Sequence, residues 1–444
     1  MGESMDEFDL LVVGAGTAGC VSASTAAKKG LKTCIIDCKN KVEIGEKVCG
    51  DAIGSHHFKR LGIPPPSGEE LDSMIEGVRV YSPDLSSVFT MDGEGVTGFI
   101  VNRHSFGQRL LKEAIDLGVE LYDCTLATEP IIEAGFVKGA VAKGKDGQRR
   151  ILRAKITIDA SGVAAVIRRK LPEEFNVEKE VAKRDLMACY REVRGNVEVE
   201  EGYCQIYLNQ SIARGGYFWV FPRSGRSVNV GVGVQASRTN THPKTQLYSQ
   251  VLSKPLFKDT KILTAGGGYV PTRRPLDSLV GDGVMIVGDA ACLVNPIHGG
   301  GIGPSMISGR IAAEVASEAI EIGILDRSGL WGYNREYMKA YGAKQAGLDV
   351  FRIFLQEISD EELNYGMRQR LVKERDVLRA SLDGDLRLSI TEKAERVFRS
   401  IRRPDFLIKL RGTARKMRRV KRHFLEYPEP EEFQSWRARI ETFY

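Results

Sequence analysis

Apolar residues recur along the chain in three rhythms. Short unbroken runs, Asp9-Leu10-Leu11-Val12-Val13 and Thr33-Cys34-Ile35-Ile36-Asp37, predict strands buried on both faces. Between them the alanine-rich stretch from Ser22 to Lys29 predicts a helix, so residues 8–38 read strand, turn, helix, strand. Phe99 to Asn102 predicts a short strand, followed by Arg103 and a helix with apolar Phe106, Leu110, Leu111, Ala114 and Ile115. Phe136 to Ala142 and Ile151 to Ile158 predict a hairpin that returns to the first sheet. From about residue 186 to 270 alternation takes over, as in Ser227-Val228-Asn229-Val230-Gly231-Val232-Gly233-Val234, and predicts antiparallel strands. Met285 to Val287 is again a buried strand and Met306 to Ala319 a helix of small residues. After Asp349 only helical periodicity remains.

This order predicts an α/β fold. A discontinuous Rossmann-like dinucleotide-binding domain (residues 1–75, 100–185 and 271–345) is interrupted by an antiparallel-sheet substrate domain (76–99 and 186–270). A basic, helical C-terminal domain (346–444) follows. At 444 residues the chain exceeds what one core usually supports. With 42% apolar and 27% charged residues it has the composition of a soluble protein. No run reaches the roughly 18–20 apolar residues of a membrane span, and the first strand starts too early to leave room for a signal peptide. The eight cysteines are scattered without a CxxC pair, which predicts a reducing, cytoplasmic compartment and no metal site.

The net charge of +6 is uneven: twelve Lys and Arg lie between Arg396 and His423, against Asp405 as the only acid. Phe398, Phe406, Leu407, Leu410 and Met417 are interleaved with them. The segment reads either as a solvated helix face or as a patch for an anionic membrane surface, each cation contributing about 1 kcal/mol there. No nucleic-acid-binding motif accompanies it, so nucleic acid is not an expected partner.

Gly14-Ala15-Gly16-Thr17-Ala18-Gly19 follows the first strand, and Asp37 ends the second. Glycines at this spacing let the backbone turn, approach a pyrophosphate and pack a helix closely, while the acid can accept ribose hydroxyls. By itself the pattern leaves FAD and NAD open. A second segment, Gly288-Asp289-Ala290-Ala291 followed by Gly299-Gly300-Gly301-Ile302-Gly303, again offers a carboxylate and a glycine-rich helix start. Together the two resemble the FAD-binding fold of the para-hydroxybenzoate hydroxylase superfamily. Ile158-Asp159-Ala160-Ser161-Gly162 stands at its middle motif, with Ala-Ser inserted between Asp and Gly, and Arg103 at its flavin-contacting arginine. The resemblance implies FAD as the cofactor, contacted by Gly14, Gly16, Ala18, Gly19, Asp37, Cys49, Gly50, Ala52, Arg103, Ala127, Asp289, Gly300, Gly301 and Ile302.

Tyr217-Phe218-Trp219-Val220-Phe221-Pro222, then eight residues, then Gly231-Val232-Gly233, has the form YxWxFP…GxG. With Lys47-Val48-Cys49-Gly50-Asp51-Ala52 and Val270-Pro271-Thr272-Arg273-Arg274-Pro275-Leu276, it resembles the geranylgeranyl reductase family, above all its archaeal branch acting on digeranylgeranylglycerophospholipids. The resemblance implies a reductase, peripherally associated with the membrane, that saturates isoprenoid chains by hydride transfer from reduced flavin. NAD(P)H or a ferredoxin is the implied electron donor. In a strand, Tyr217, Trp219 and Phe221 share a face, and such a wall can grip a polyprenyl chain and stabilise cationic character. Cys49 is the expected contact at the reacting face and a candidate proton donor. Pro222, Arg273, Arg274 and His298 complete the expected substrate contacts. The two arginines read either as partners of a lipid phosphate or as an exposed basic turn; His298 orients the glycine loop or touches the flavin. The alternatives are a monooxygenase of the same superfamily and a flavoprotein that binds isoprenoid lipid without turnover.

Overall fold

The computed structural model describes residues 6–93, 95–238, 242–384, 386 and 403–444. The first apolar runs form β1 (Asp6–Val13) and β2 (Thr33–Ile36), parallel neighbours in which Leu10 to Val13 and all of β2 are buried on both faces. Nine strands follow: β3 (Ala52–Gly54), β4 (Leu71–Ile75), β5 (Gly77–Tyr81), β6 (Val88–Asp92), β7 (Gly98–Val101), β8 (Glu120–Tyr122), β9 (Leu126–Glu133), β10 (Phe136–Lys143) and β11 (Arg149–Asp159). β11 lies parallel on the other side of β1, β8 extends β2, and β10 and β9 fold back antiparallel from β11. This eight-stranded sheet is completed much later by β17 (Val280–Gly281) and β18 (Val284–Ile286), the latter parallel to β11. Helices α1 (Thr17–Lys28), α2 (Ser55–Leu61), α3 (Arg103–Asp116), α4 (Pro243–Gln246) and α5 (Ile302–Ile322) punctuate the strands, and α6 (Arg327–Tyr337) and α7 (Ala343–Glu357) follow. α1 and α5 cross in close contact. A Cβ on Gly309 would stand 2.4 Å from the carbonyl oxygen of Ala18, so small residues here are a packing requirement.

The intervening strands are β12 (Leu186–Gly195), β13 (Tyr203–Tyr207), β14 (Tyr217–Arg223), β15 (Ser227–Gln235) and β16 (Lys261–Pro271). They form a seven-stranded sheet in the order β16-β12-β15-β14-β13-β5-β6, antiparallel except where β13 meets β5. One face, with Phe218, Val220 and the valines of β15, is covered by Leu247, Val251 and Phe257, which follow the short helix α4. The other face carries Trp219 and Phe221 and turns toward the nucleotide unit. The strand at Phe99 does not join the nucleotide sheet. As β7 it pairs with β3 and β4 in a separate three-stranded sheet, and β3 and β4 are short segments with too little alternation to be recognised in sequence.

The C-terminal helices do not form a body apart. The boundary expected at 345/346 falls within the first turn of α7. Phe406, Leu410, Met417 and Phe424 of helix Pro404–Leu425, with Trp436 and Ile440 of helix Phe433–Glu441, join the core that contains β1. Amphipathic helices of this length cannot bury their apolar faces alone. Arg396, Phe398, Arg399 and Arg402 of the basic segment lie outside the described residues.

Arg273 and Arg274 correct the sequence reading. They form neither an exposed turn nor a phosphate site: Arg273 is buried, Arg274 nearly so, and both are paired inside the protein. Arg273 Nη2 lies 2.9 Å from Glu178 Oε1, and Arg274 pairs with Asp277. Glu178 Oε2 accepts the Asp277 N–H at 2.7 Å, and Arg437 Nε lies 3.2 Å from Asp277 Oδ2, tying in the last helix. A buried guanidinium needs a carboxylate more than a ligand, and the fold supplies two. Burial raises the Glu178 carboxyl, but Arg273 and Arg274 outweigh it and hold it down at about 2. Glu178→Gln leaves Arg273 buried without its carboxylate and is expected to cost about 3–5 kcal/mol in denaturant unfolding. Because the folded pKa is depressed, the stability from Glu178 is complete above about pH 4.5 and is lost as pH falls toward 2. Acid titration of the unfolding free energy should show that loss in the native protein and not in Glu178→Gln.

Candidate active site

The glycines of the first turn divide the work. Gly14 has φ +107°, and a Cβ there would stand 2.5 Å from the Ala160 carbonyl oxygen. A Cβ on Gly19 would stand 1.9 Å from the Gly14 carbonyl oxygen, so the first turn of α1 sits directly on the loop. A Cβ on Gly16 would meet nothing within 4 Å; this is the open side of the cradle. Gly16 is also the N-cap of α1 and offers no side-chain acceptor, which leaves first-turn N–H groups for an anion. Asp37 Oδ2 accepts the Ala15 N–H at 2.7 Å and Oδ1 the Lys39 N–H at 2.8 Å. The carboxylate braces the loop and still has lone pairs for a ribose. The Asp37 carbonyl accepts the Thr125 N–H, which brings the start of β9, with buried Ala127, alongside.

Asp289 lies in a short turn, Gly288–Ala291, with Oδ2 3.0 Å from Lys47 Nζ. A Cβ on Gly301 would stand 3.3 Å from Asp289 Oδ1, so the glycine run and the carboxylate face one another. Gly301 caps α5, again without a side-chain acceptor, and Ile302 begins the helix. Ala18 packs against Gly288 and joins the two halves. Arg103 opens α3; Nη2 donates to Thr17 Oγ1 at 3.4 Å, while Nε and Nη1 are buried without partners. Two uncapped helix N-termini, a glycine cradle and an orphaned guanidinium fit the phosphates and flavin ring of FAD. Asp159 instead serves the backbone. Its oxygens accept from Ser161, Ile167 and Arg168 and hold the turn after β11.

Tyr217, Trp219 and Phe221 do share a face, with ring centroids 5.9 and 6.2 Å apart. Trp219 and Phe221 are 7% and 9% exposed, packed with Ile75, Ile100 and Cys204 and flanked by Cys189 and Ala52. A Cβ on Gly231 would stand 2.3 Å from Trp219 Cζ2, and one on Gly233 3.2 Å from Cys189 Sγ. The GxG of the motif is therefore a demand for space beside the indole and the thiol. A Cβ on Gly50 would meet Phe221 Cε2 at 3.2 Å, so the Cys49–Gly50 loop lies over that ring. Burial pushes the Cys189 and Cys204 thiols up to about 12 and also raises the Tyr217 phenol, so the wall is uncharged. Tyr217 Oη donates to the His298 carbonyl at 2.7 Å, and His298 Nδ1 accepts the Gly300 N–H at 3.1 Å. Burial presses the His298 imidazole down to about 4, so it is neutral and holds the glycine loop to the aromatic strand. Pro222 departs from its expected substrate role, because strand alternation puts it on the Phe218–Val220 face, away from the wall.

Sequence reasoning passed over a polar centre on the same face, at the Phe221 end of the wall. Asn229, fully buried on β15, donates from Nδ2 to the Cys49 carbonyl (2.8 Å) and to Asp51 Oδ2 (2.9 Å), and Oδ1 accepts the Trp219 indole N–H at 3.0 Å. Asp51, with φ +65°, also receives Arg223 Nη1 at 2.8 Å, while Arg223 Nη2 donates to Asp72 at 2.5 Å. Burial pushes the Asp51 carboxyl up, against the pull of Arg223, Arg191 and Arg103. A polar residue inside an otherwise apolar strand, Val228-Asn229-Val230, was the available signal; Cys189, Cys204 and Asp72 carried none. Asn229→Ala strips partners from three buried groups at once. It is expected to cost about 3 kcal/mol in denaturant unfolding, with a changed Trp219 fluorescence; native stability in this variant would contradict the assigned bonds.

Residues 185–270 match the model of the geranylgeranyl reductase catalytic domain, and residues 9–74 that of glucose inhibited division protein A. A digeranylgeranylglycerophospholipid reductase of Sulfolobus acidocaldarius is 41% identical over 98% of this chain and 97% of its own. One from Methanoculleus marisnigri is 34% identical over 75% of this chain and 82% of its own. The crystal structure of a geranylgeranyl bacteriochlorophyll reductase-like protein from Thermoplasma acidophilum superposes with a TM-score of 0.79 at 27% identity, covering 92% of this chain and all of that one. The flavin-dependent brominase Bmp2, at 21% identity and a TM-score of 0.65 over 90% of this chain and 99% of its own, shares the fold. With the cradle, the aromatic strand and its glycines in one site, and with identity of this extent along its whole length, the chain belongs to the digeranylgeranylglycerophospholipid reductase family.

Proposed function

We propose that the protein is an FAD-dependent reductase that saturates the double bonds of geranylgeranyl chains in archaeal membrane-lipid precursors, either geranylgeranyl diphosphate or digeranylgeranylglyceryl phospholipids. One observation carries the reading: a cradle fitted to FAD meets a wall of aromatic rings and neutral thiols, which offers an alkene apolar area and no charge.

Reduced FAD, when bound, supplies a hydride to one alkene carbon. The chain's own residues account for the rest. A polyprenyl chain has nothing to hydrogen-bond, so its grip comes from apolar area, at about 25 cal/mol per Å². The rings of Tyr217 and Trp219 would attract the positive character that develops at the second carbon, by about 0.5–2 kcal/mol each. A proton must then reach that carbon. Cys49, whose carbonyl Asn229 holds over Phe221, is the candidate donor through Sγ, with water as the alternative. The external reductant is NAD(P)H or a ferredoxin. The lipid is met at a membrane surface through peripheral contact; among the described residues no helix is long and apolar enough to cross a membrane.

The monooxygenase alternative rests on fold likeness, which does not determine chemistry. Dithionite-reduced enzyme under anaerobic conditions should add two hydrogens per double bond, read by lipid mass spectrometry. A requirement for oxygen would assign a monooxygenase, and binding without mass gain a lipid carrier. Cys49→Ala should keep its flavin content and lose about 100-fold in turnover with reduced flavin; an undiminished rate removes the thiol from the proton step.

A further inference from the structure

We infer that the outer face of helix Pro404–Leu425 carries a second site, a cationic cavity that receives the phosphate of an anionic lipid headgroup. The cavity, about 450 Å³, is lined by Gly412, Arg415, Lys416 and Arg419 of the helix and by residues 441–444. The helix positions are spaced i, i+3, i+4 and i+7 and therefore share one face. Glu441 is the one carboxylate side chain in the lining, and none of the three cations forms an ion pair among the described residues. Arg403 and Lys409, at the start of the same helix, are already engaged by Glu362 at 3.3 and 3.4 Å.

Like charges one turn apart repel, and the helix cannot rotate to carry them elsewhere, because Leu410, Met417, Val420 and Phe424 lock the opposite face into the core. Lys416 Nζ lies 5.5 Å from the Tyr444 ring centre and Arg419 Cζ 5.6 Å from that of Phe443. The rings steady the side chains and leave their N–H donors free. Phosphate oxygens can accept from two guanidiniums and an ammonium together, relieving the repulsion. A lipid source is favoured over free phosphate by the flanks: Ile408 and Leu425, 70% and 44% exposed, put apolar side chains near the two ends of the helix, as at a bilayer interface. The proposal rests on the reductase reading with a phospholipid substrate, which resides in a membrane that a cationic face of this kind reaches from the surface.

The test uses the full-length, flavin-loaded protein and co-sedimentation with vesicles of mixed phosphatidylglycerol and phosphatidylcholine, against phosphatidylcholine alone. Each cation near an anionic leaflet is worth roughly fivefold in partitioning, so Arg415→Ala with Arg419→Ala should weaken binding to the anionic vesicles roughly 30-fold. Removing two exposed cations elsewhere, Lys112→Ala with Lys145→Ala, should change it far less. Equal losses in the two double variants would reduce the effect to net charge and overturn the site; so would undiminished binding. Calorimetry with inorganic phosphate separates the sources: saturable phosphate binding lost in the variant, with vesicle binding intact, would assign a free phosphate ligand instead. Turnover of detergent-dispersed substrate should stay native in Arg415→Ala with Arg419→Ala. Absence of turnover in the native protein would count against the reductase reading and leave the vesicle result standing.

Discussion

One buried carboxamide holds the reacting end of the molecule together. Asn229 bonds at once to the Cys49 carbonyl, the Asp51 carboxylate and the Trp219 indole, which lie 180, 178 and 10 residues away in sequence. A carboxamide suits this position because it donates and accepts in one plane. An aspartate could not donate to the Cys49 carbonyl, and a leucine would leave three polar groups unsatisfied. The Cys49–Asp51 loop and the aromatic wall thus reach register through one side chain on a strand that is otherwise mostly valine and glycine.

The same economy governs several of the charges. Guanidiniums withdrawn from solvent are enclosed together with carboxylates: Glu178 and Asp277 for Arg273 and Arg274, Asp51 and Asp72 for Arg223, Asp185 and Asp349 for Arg352. These pairs lie at seams, where the nucleotide unit meets the C-terminal helices and where the small sheet meets the large one. They specify how the pieces meet more than they stabilise them, since desolvation offsets most of the attraction. Arg103 is the informative contrast. Two of its nitrogens are buried without partners beside the glycine cradle, as suits a group reserved for a bound cofactor.

Much of the nucleotide unit was legible in the order of residues. Gly14, Gly16 and Gly19 announce it because a strand precedes them, a helix follows and Asp37 stands at the right distance, and an uninterrupted apolar run such as Leu10 to Val13 suits a strand covered on both sides. The aromatic row was legible because alternation in a strand is strictly two-residue. Pro222 was misassigned by reading the motif as a unit and overlooking that same alternation. The paired roles of Arg273 and Arg274 were hidden because Glu178 stands 95 residues before Arg273, and Asp277, though only three beyond Arg274, gives no sign of burial. Nothing local distinguishes a buried arginine from an exposed one.

Sequence alone determined the glycine turn at 14–19, the strands on either side of it and the face on which Tyr217, Trp219 and Phe221 lie, because each follows from spacing within a few residues. Tertiary structure alone decided that Asp51 meets Asn229 at the end of that face and that Cys189 and Cys204 line it. It also decided that the C-terminal helices share the nucleotide core while leaving Arg415, Lys416 and Arg419 outside. These depend on which distant segments are brought into contact, and burial, the property that turns a polar side chain into a positioning device, exists only once the chain has packed.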